Sequence, residues 1–200
     1  MDRRQKRMSR SAGEADTRVP VPALNWLART APAKEDASVE GGTRPRATVE
    51  GSTAPTRAVR RGEFELPCDP ATALPLFTPE GEREWVSGWE PEYLSGANDE
   101  AGAVWRTSHE QDVTWITTDR DDGRVRYARL STNGTAGLVE VLCTPTDEGT
   151  RVQVTYDLTA CSTAGLDALG RFAAHFDDML DEWRRATASV LARTPVPGER

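Results

Sequence analysis

Five strand-like segments follow one another with no helix between them: Ala103 to Ser108, Val113 to Asp119, Arg124 to Ser131, Gly137 to Thr144 and Thr150 to Ala160. The residues separating them include Asp121-Asp122-Gly123, Asn133-Gly134 and Asp147-Glu148-Gly149. Such turns join antiparallel neighbours, so a meander of sequential hairpins is predicted. In its last strand Val152, Val154, Tyr156 and Leu158 alternate with Arg151, Gln153, Thr155 and Asp157, which buries one face and wets the other. An apolar sheet face needs a cover, and the next segment supplies one. From Thr163 to Ala192, Leu169, Phe176, Trp183 and Val190 recur seven apart, with Leu166, Ala173 and Leu180 beside them and Phe172 and Met179 widening the stripe. This spacing predicts one long amphipathic helix, with Arg184, Arg185 and Arg193 toward its negative end and Thr194-Pro195 closing it. Gly165 and Gly170 each weaken its first turns by about 1 kcal/mol relative to Ala, so a bent or loose amino end is expected.

Upstream, Val59 to Leu66 reads as a first strand with Phe64 and Leu66 on one face. Pro67-Cys68-Asp69-Pro70 stops it and opens a short helix over Ala71 to Phe77, with Asp69 as cap and Pro70 in the first helical position. Thr78-Pro79-Glu80-Gly81-Glu82 repeats the helix-start chemistry, so a second short helix is expected in tandem. The run from Leu76 to Leu94 packs Phe77, Trp85, Trp89 and Tyr93 among Pro79, Gly81, Gly88 and Pro91. Large aromatic surfaces on a chain broken so often suit the wall of a cavity better than one continuous helix.

Residues 1–56 are rich in Arg, Ala, Pro, Gly, Thr and Glu and lack a sustained apolar period, so they cannot offset their ordering entropy. A disordered tail is predicted there, a single domain over 57–193, and a second disordered end at 194–200. Pro22 to Ala28, which holds Trp26 and Leu27, has the makings of one docking turn but shares the tail's composition. The tail has ten basic and seven acidic side chains, leaving 15 basic and 25 acidic for the remainder. That acidic remainder argues against nucleic-acid binding by the domain, because such affinity comes mainly from Lys and Arg on phosphates. The basic cluster Arg3, Arg4, Lys6, Arg7 and Arg10 reads as a short solvated charge run.

Cys68, Cys143 and Cys161 are an odd set without CxxC spacing, and no signal-peptide apolar core follows the basic start, so a reduced, cytoplasmic protein is expected. No run approaches the eighteen or so apolar residues of a transmembrane helix. Two His and three Cys, widely separated, give no metal-binding cluster, and no cofactor is expected.

The order of strand, two short helices, five-strand meander and long terminal helix resembles the helix-grip fold of the SRPBCC superfamily, whose branches are START-like, birch-pollen-allergen-like and polyketide cyclase-like. The likeness extends to local runs. LFTPEGEREWVSGWEPEYL resembles the two-helix segment of uncharacterised bacterial members. Gly102 to Thr107, Thr114 to Thr118 and Val152 to Tyr156 resemble their strands, and Glu182-Trp183 stands where they often carry a late Trp. It covers residues 59 to 192. What the resemblance implies is an α+β fold: a curved antiparallel sheet of about six strands gripping the long helix, with a cavity between them roofed by the two short helices. One such fold hosts many activities, so the chemistry must be read from the site.

On that fold, Phe77, Trp85, Trp89, Tyr93 and Leu94 are candidates for the mouth of a pocket, and Trp105, Trp115, Phe172, Phe176, Met179 and Trp183 for its walls. Each is a core residue first and a ligand contact second. At least one of Trp105 and Trp115 should face inward, with its indole N–H seeking a ligand or carbonyl acceptor. Tyr127, Arg129 and Tyr156 are the polar-capable wall positions. Arg129 is expected at the surface, since long charged side chains are seldom fully buried; turned inward, it needs an acidic partner or a ligand carboxylate or enolate. His175 lies on the shoulder of the last helix and His109 in a turn, and no spacing fixes either into a catalytic set. Tyr127, Arg129, Tyr156 and His175 are the weak catalytic candidates. Three functions are thus in play: carriage of a small hydrophobic molecule such as a lipid, polyketide or aromatic, a cyclase-like enzyme using the same cavity, and a surface interaction module of chaperone-activator or toxin–antitoxin type.

Overall fold

The computed structural model describes residues 56–108 and 112–193. The expected tail with Trp26 and Leu27, His109, and the end at 194–200 lie outside the described residues. The described chain is a helix-grip α+β fold. Seven strands, β1 (Arg57–Leu66), β2 (Glu92–Ser95), β3 (Val104–Thr107), β4 (Val113–Arg120), β5 (Arg124–Ser131), β6 (Thr135–Thr146) and β7 (Gly149–Ala160), form one sheet in the order β1-β7-β6-β5-β4-β3-β2. Every pairing is antiparallel. The seventh strand departs from the expected six. β2 is only four residues long, too short for its period to show in sequence, and it is an edge held by pairing with β3 and by an Arg106–Glu92 ion pair of 2.7 Å.

The sheet's inward side follows from register. One row across it reads Trp105, Trp115, Arg129, Gly137, Leu158, and the next Thr117, Tyr127, Val139, Tyr156. Outward positions carry cross-strand pairs of opposite charge, including Arg57–Asp157 at 2.6 Å and Arg126–Glu140 at 2.5 Å, which suits a wet face.

Helix α2 (Thr163–Arg193) packs against β1, β7 and β6. Its buried stripe includes Leu169, Phe172, Phe176, Met179, Leu180, Trp183 and Val190, the period read from the sequence. Its amino end is not loose. Gly165 is buried, and a Cβ there would sit 2.0 Å from the Gly134 carbonyl oxygen, so this glycine lets the helix dock on the β5–β6 turn.

The two expected short helices are shorter than read. Helix α1 covers only Pro70–Ala73 and runs into a 3-10 turn, Leu74–Phe77; a second 3-10 turn, Gly81–Glu84, stands alone. The capping chemistry is as expected: Asp69 accepts from the Thr72 N–H at 2.9 Å, and Thr78 Oγ1 accepts from the Gly81 N–H at 3.2 Å. Propagation fails because Pro75 and Pro79 offer no N–H to a preceding turn.

Candidate functional site

The stretch 77–91 folds over the sheet's inward side and shuts its tryptophans against those of β3 and β4. Trp105 and Trp115, a register pair, stack at 5.1 Å with planes 8° apart. Trp89 meets both edge-on at 5.8 and 6.5 Å, as does Tyr127 at 5.9 and 6.2 Å. Across from them Phe77 stacks on Trp183 at 6.0 Å, and Trp85 stands edge-on to Trp183 at 5.4 Å. These are the offset and edge-to-face arrangements aromatic quadrupoles favour.

Between the two groups lies a cavity lined by Phe77, Trp85, Trp89, Trp105, Trp115, Tyr127, Tyr156 and Trp183, with Pro79, Glu82, Val86, Val139 and Val141. It is far smaller than the hollow expected from the sequence. About 20 Å³ is open to the centre of a water molecule, which is room for roughly one water. Five tryptophans and two tyrosines turned inward use up the space the fold would otherwise enclose.

Polar groups inside this box are incompletely satisfied. Trp85 donates to the Leu76 carbonyl at 2.7 Å, Trp89 to that of Pro79 at 2.8 Å, and Trp115 to Thr107 Oγ1 at 3.2 Å. The indole N–H groups of Trp105 and Trp183 and the Thr117 hydroxyl are buried with no acceptor or donor in reach. Tyr127 donates to the Phe77 carbonyl at 3.2 Å. Burial pushes the hydroxyl pKa of Tyr127, and of Tyr156, well up, so both stay neutral.

Arg129 overturns the expectation of surface exposure: it is 1% exposed. Its inward position follows from sharing the face of Val125 and Tyr127. Its guanidinium lies 5.5 Å from the centre of the Trp115 ring, a cation–π contact, and Nη1 donates to Thr135 Oγ1 at 3.3 Å. Thr135 Oγ1 in turn donates to Asn133 Oδ1 at 2.9 Å, which leaves its lone pairs free for the arginine. Nε and Nη2 are buried without partners, and no carboxylate among the described residues pairs with this cation. Desolvation lowers its pKa, opposed by the nearby Tyr156; at neutral pH a guanidinium stays charged nonetheless.

Glu82, which the sequence reading passed over, is the one carboxylate in the cavity wall. It makes no hydrogen bond or ion pair with any described residue, although the residue keeps some accessible surface. The crowding of its carboxyl by rings pushes its pKa well above the ordinary carboxylate range. Its charge is felt by both Tyr127 and Tyr156. The only signal in the sequence was an acidic residue amid the aromatic run, and the helix dipole accounted for it without a site.

Other candidates fall elsewhere. Leu94 is 54% exposed, because on edge strand β2 its neighbour Tyr93 takes the inward side. Tyr93 is half-buried and donates to Glu80 Oε1 at 2.7 Å, outside the box. Phe172 and Phe176 are buried against Tyr156, with centroids 5.1 and 6.2 Å from it, and they and Met179 belong to the packing under α2 rather than to the cavity wall. His175 is exposed on α2, its ring Nδ1 2.9 Å from the Arg171 carbonyl, and does not reach the interior. The Cys143 thiol, buried, is pushed up to about 12 by desolvation and is a poor nucleophile. Among the described residues no His, Cys, Asp and Glu cluster gathers to hold a metal, and no helix is long and apolar enough to cross a membrane.

No protein-family model matches the chain, and no curated protein matches it. Solved structures do. Ara h 8.0201 superposes with a TM-score of 0.54 at 13% identity, over 68% of this chain and 99% of that one. A Rhodobacter sphaeroides protein gives 0.51 at 17% identity, over 73% of this chain and 97% of its own. The Mll3558 protein from Rhizobium loti gives 0.50 at 21% identity, over 67% and 96%. At these identities the likeness is one of fold, and it spans nearly the whole of each neighbour.

Proposed function

We propose that this domain, a member of the SRPBCC superfamily, binds a small, largely aromatic molecule between the tryptophans of β3 and β4 and those of the roof. One observation carries the reading: the most aromatic part of the interior holds several buried polar groups that lack partners, Trp105, Thr117, Arg129 and Trp183. A leftover donor in a dry core costs about 1–3 kcal/mol, and native cores rarely keep several together. Trp105 and Trp183 line the cavity in this condition, Arg129 lies behind its wall against Trp115, and Glu82 adds a partly exposed carboxylate with no ion-pair partner among the described residues. A ligand with an apolar body and a few polar atoms relieves each of them. The space for it comes from the roof, where Trp85 and Trp89 follow the Gly81–Glu84 turn on irregular chain, each indole tied by a single hydrogen bond.

The binding unit is residues 57–193, so removing residues 1–55 should leave the melting temperature nearly unchanged. Native mass spectrometry of protein purified from its own host should retain a bound mass. In parallel, the neutral fluorophore N-phenyl-1-naphthylamine should bind and draw energy from the tryptophans. If no mass is retained and the fluorophore stays dark, the reading fails, and the near-filled interior favours a surface interaction module instead.

A second reading has its own support. Inward Arg129, with Tyr127 and Tyr156 in the adjacent row of the same sheet face, suits polarisation of a poly-carbonyl substrate by hydrogen bonding to a developing oxyanion, the cyclase-like alternative. His175, being exposed, has no part in it.

A further inference from the structure

Building on the binding reading above, we propose that the molecule taken up by the box is an organic cation, an oxygen-bearing amine whose charge is held between tryptophan faces and the Glu82 carboxylate. The wall around Glu82 is largely aromatic, and aromatic ring faces carry negative potential that attracts cations, indole most strongly. The same interior already holds one cation in this way: Arg129, over Trp115 at 5.5 Å with a single hydroxyl as acceptor.

Among the described residues Glu82 has no counterion. Arg83, next in sequence, turns outward to Glu80 at 2.8 Å and to Glu90, and Glu84 is exposed. From β5 and β7 the groups facing Glu82 are the Tyr127 and Tyr156 hydroxyls, both neutral, and from α2 it is Trp183, which does not titrate. Asp99 and Arg120, near Tyr127, satisfy each other at 2.5 Å. Arg129 interacts with Tyr156 rather than with Glu82. A neutral or anionic guest, by covering this partly exposed carboxylate, would remove its remaining water and give it no counter-charge, the costly arrangement. An ammonium group supplies the missing charge, and the orphan indole N–H groups of Trp105 and Trp183 ask for an acceptor oxygen on the same molecule.

The test uses the intact chain and two probes of equal shape, choline and its uncharged carbon isostere 3,3-dimethylbutan-1-ol, titrated against tryptophan fluorescence, with N-phenyl-1-naphthylamine as the shape-only control. At pH 8 choline should bind at least about tenfold more tightly than the isostere, the value of one desolvated cation–π contact or charge pair. In Glu82→Gln that ratio should fall to about threefold or less. For the wild type the ratio should also shrink as pH drops from 8 to 5, because protonation removes the carboxylate while the isostere is indifferent to it. This pH arm decides the matter should the variant fail to fold. If the naphthylamine binds but choline shows no advantage, or keeps its advantage in Glu82→Gln or at pH 5, the cation assignment is wrong while the binding reading stands. If none of the three binds, both fall together.

Discussion

The interior has two halves built on different terms. Under α2, against β1 and β7, the packing is largely apolar: Phe64, Val152, Val154, Leu158, Leu169, Phe172 and Phe176 are buried together, Thr187 donates to the Trp183 carbonyl at 2.7 Å and Thr150 to that of Cys68 at 2.6 Å, and the unpartnered atoms, Arg171 Nε and Thr146 Oγ1, belong to partly exposed residues. Under the roof, against β3 to β5, the side chains are larger and the accounting is left open, with Trp105, Thr117, Arg129 and Trp183 each holding an orphan atom. Both halves exclude water. The second departs further from the composition expected of a region selected for stability alone, and the proposed site rests on that contrast.

The sharpest way to break the contrast is to truncate one large side chain in each half. Phe176→Ala should cost about 3–5 kcal/mol, since it empties a dry, closely packed position that cannot collapse. Trp105→Phe, which shortens a ring but also deletes an unpaired N–H, should cost under about 1.5 kcal/mol. Urea unfolding of the two variants measures the difference. Equal losses would mean that the tryptophan box is ordinary core.

Arg129→Met comes next in size and has the opposite sign. Replacing a buried, carboxylate-free guanidinium by an apolar side chain of similar length should raise stability by about 1–4 kcal/mol, while weakening any ligand that binds through an acceptor. A loss of stability would show that the contacts to Trp115 and Thr135 already compensate the charge.

Glu82→Gln should act on pH dependence. The Glu82 carboxyl has a folded-state pKa raised by burial, so the native chain holds its proton more tightly than the unfolded one. The protein therefore loses stability as pH rises from the unfolded value through the raised folded one, and the loss levels off above it. Glutamine has no such loss. The variant's melting temperature should exceed the wild type's at pH 8, with the gap closing toward pH 4.5. A gap independent of pH would place the carboxyl in contact with solvent.

Period and punctuation in the sequence carried the frame. Seven-residue spacing marked the buried stripe of α2, alternation marked the faces of β7, and Asp69 and Thr78 cap where their chemistry says they should. Much of the cavity wall was legible for the same reason, because aromatic residues on an inward face are core or pocket in either event. Other features depend on three-dimensional placement. Arg129 looks like a surface residue until its strand neighbours fix its face. Glu82 looks like a first-turn acid until the chain folds it under a tryptophan. The free volume itself is set by how inward rings share space, which no local pattern records.

The glycines of α2 give the finest comparison, within one helix. Propensity alone penalises Gly165 and Gly170 equally, yet a Cβ at Gly165 would meet the Gly134 backbone at 2.0 Å, whereas one at Gly170 would meet nothing within 4 Å. Gly170→Ala should therefore gain about 0.5–1 kcal/mol, chiefly by restricting the unfolded chain and favouring helix. Gly165→Ala must push the helix off the β5–β6 turn, next to Thr135 and hence next to the side-chain hydrogen bond that Arg129 makes to it. Its melting temperature should fall, and if the two halves of the interior are coupled through that turn, its affinity for the aromatic probe should fall too. Unaltered probe binding in a destabilised Gly165→Ala would show that the well-packed half can loosen without disturbing the tryptophan box.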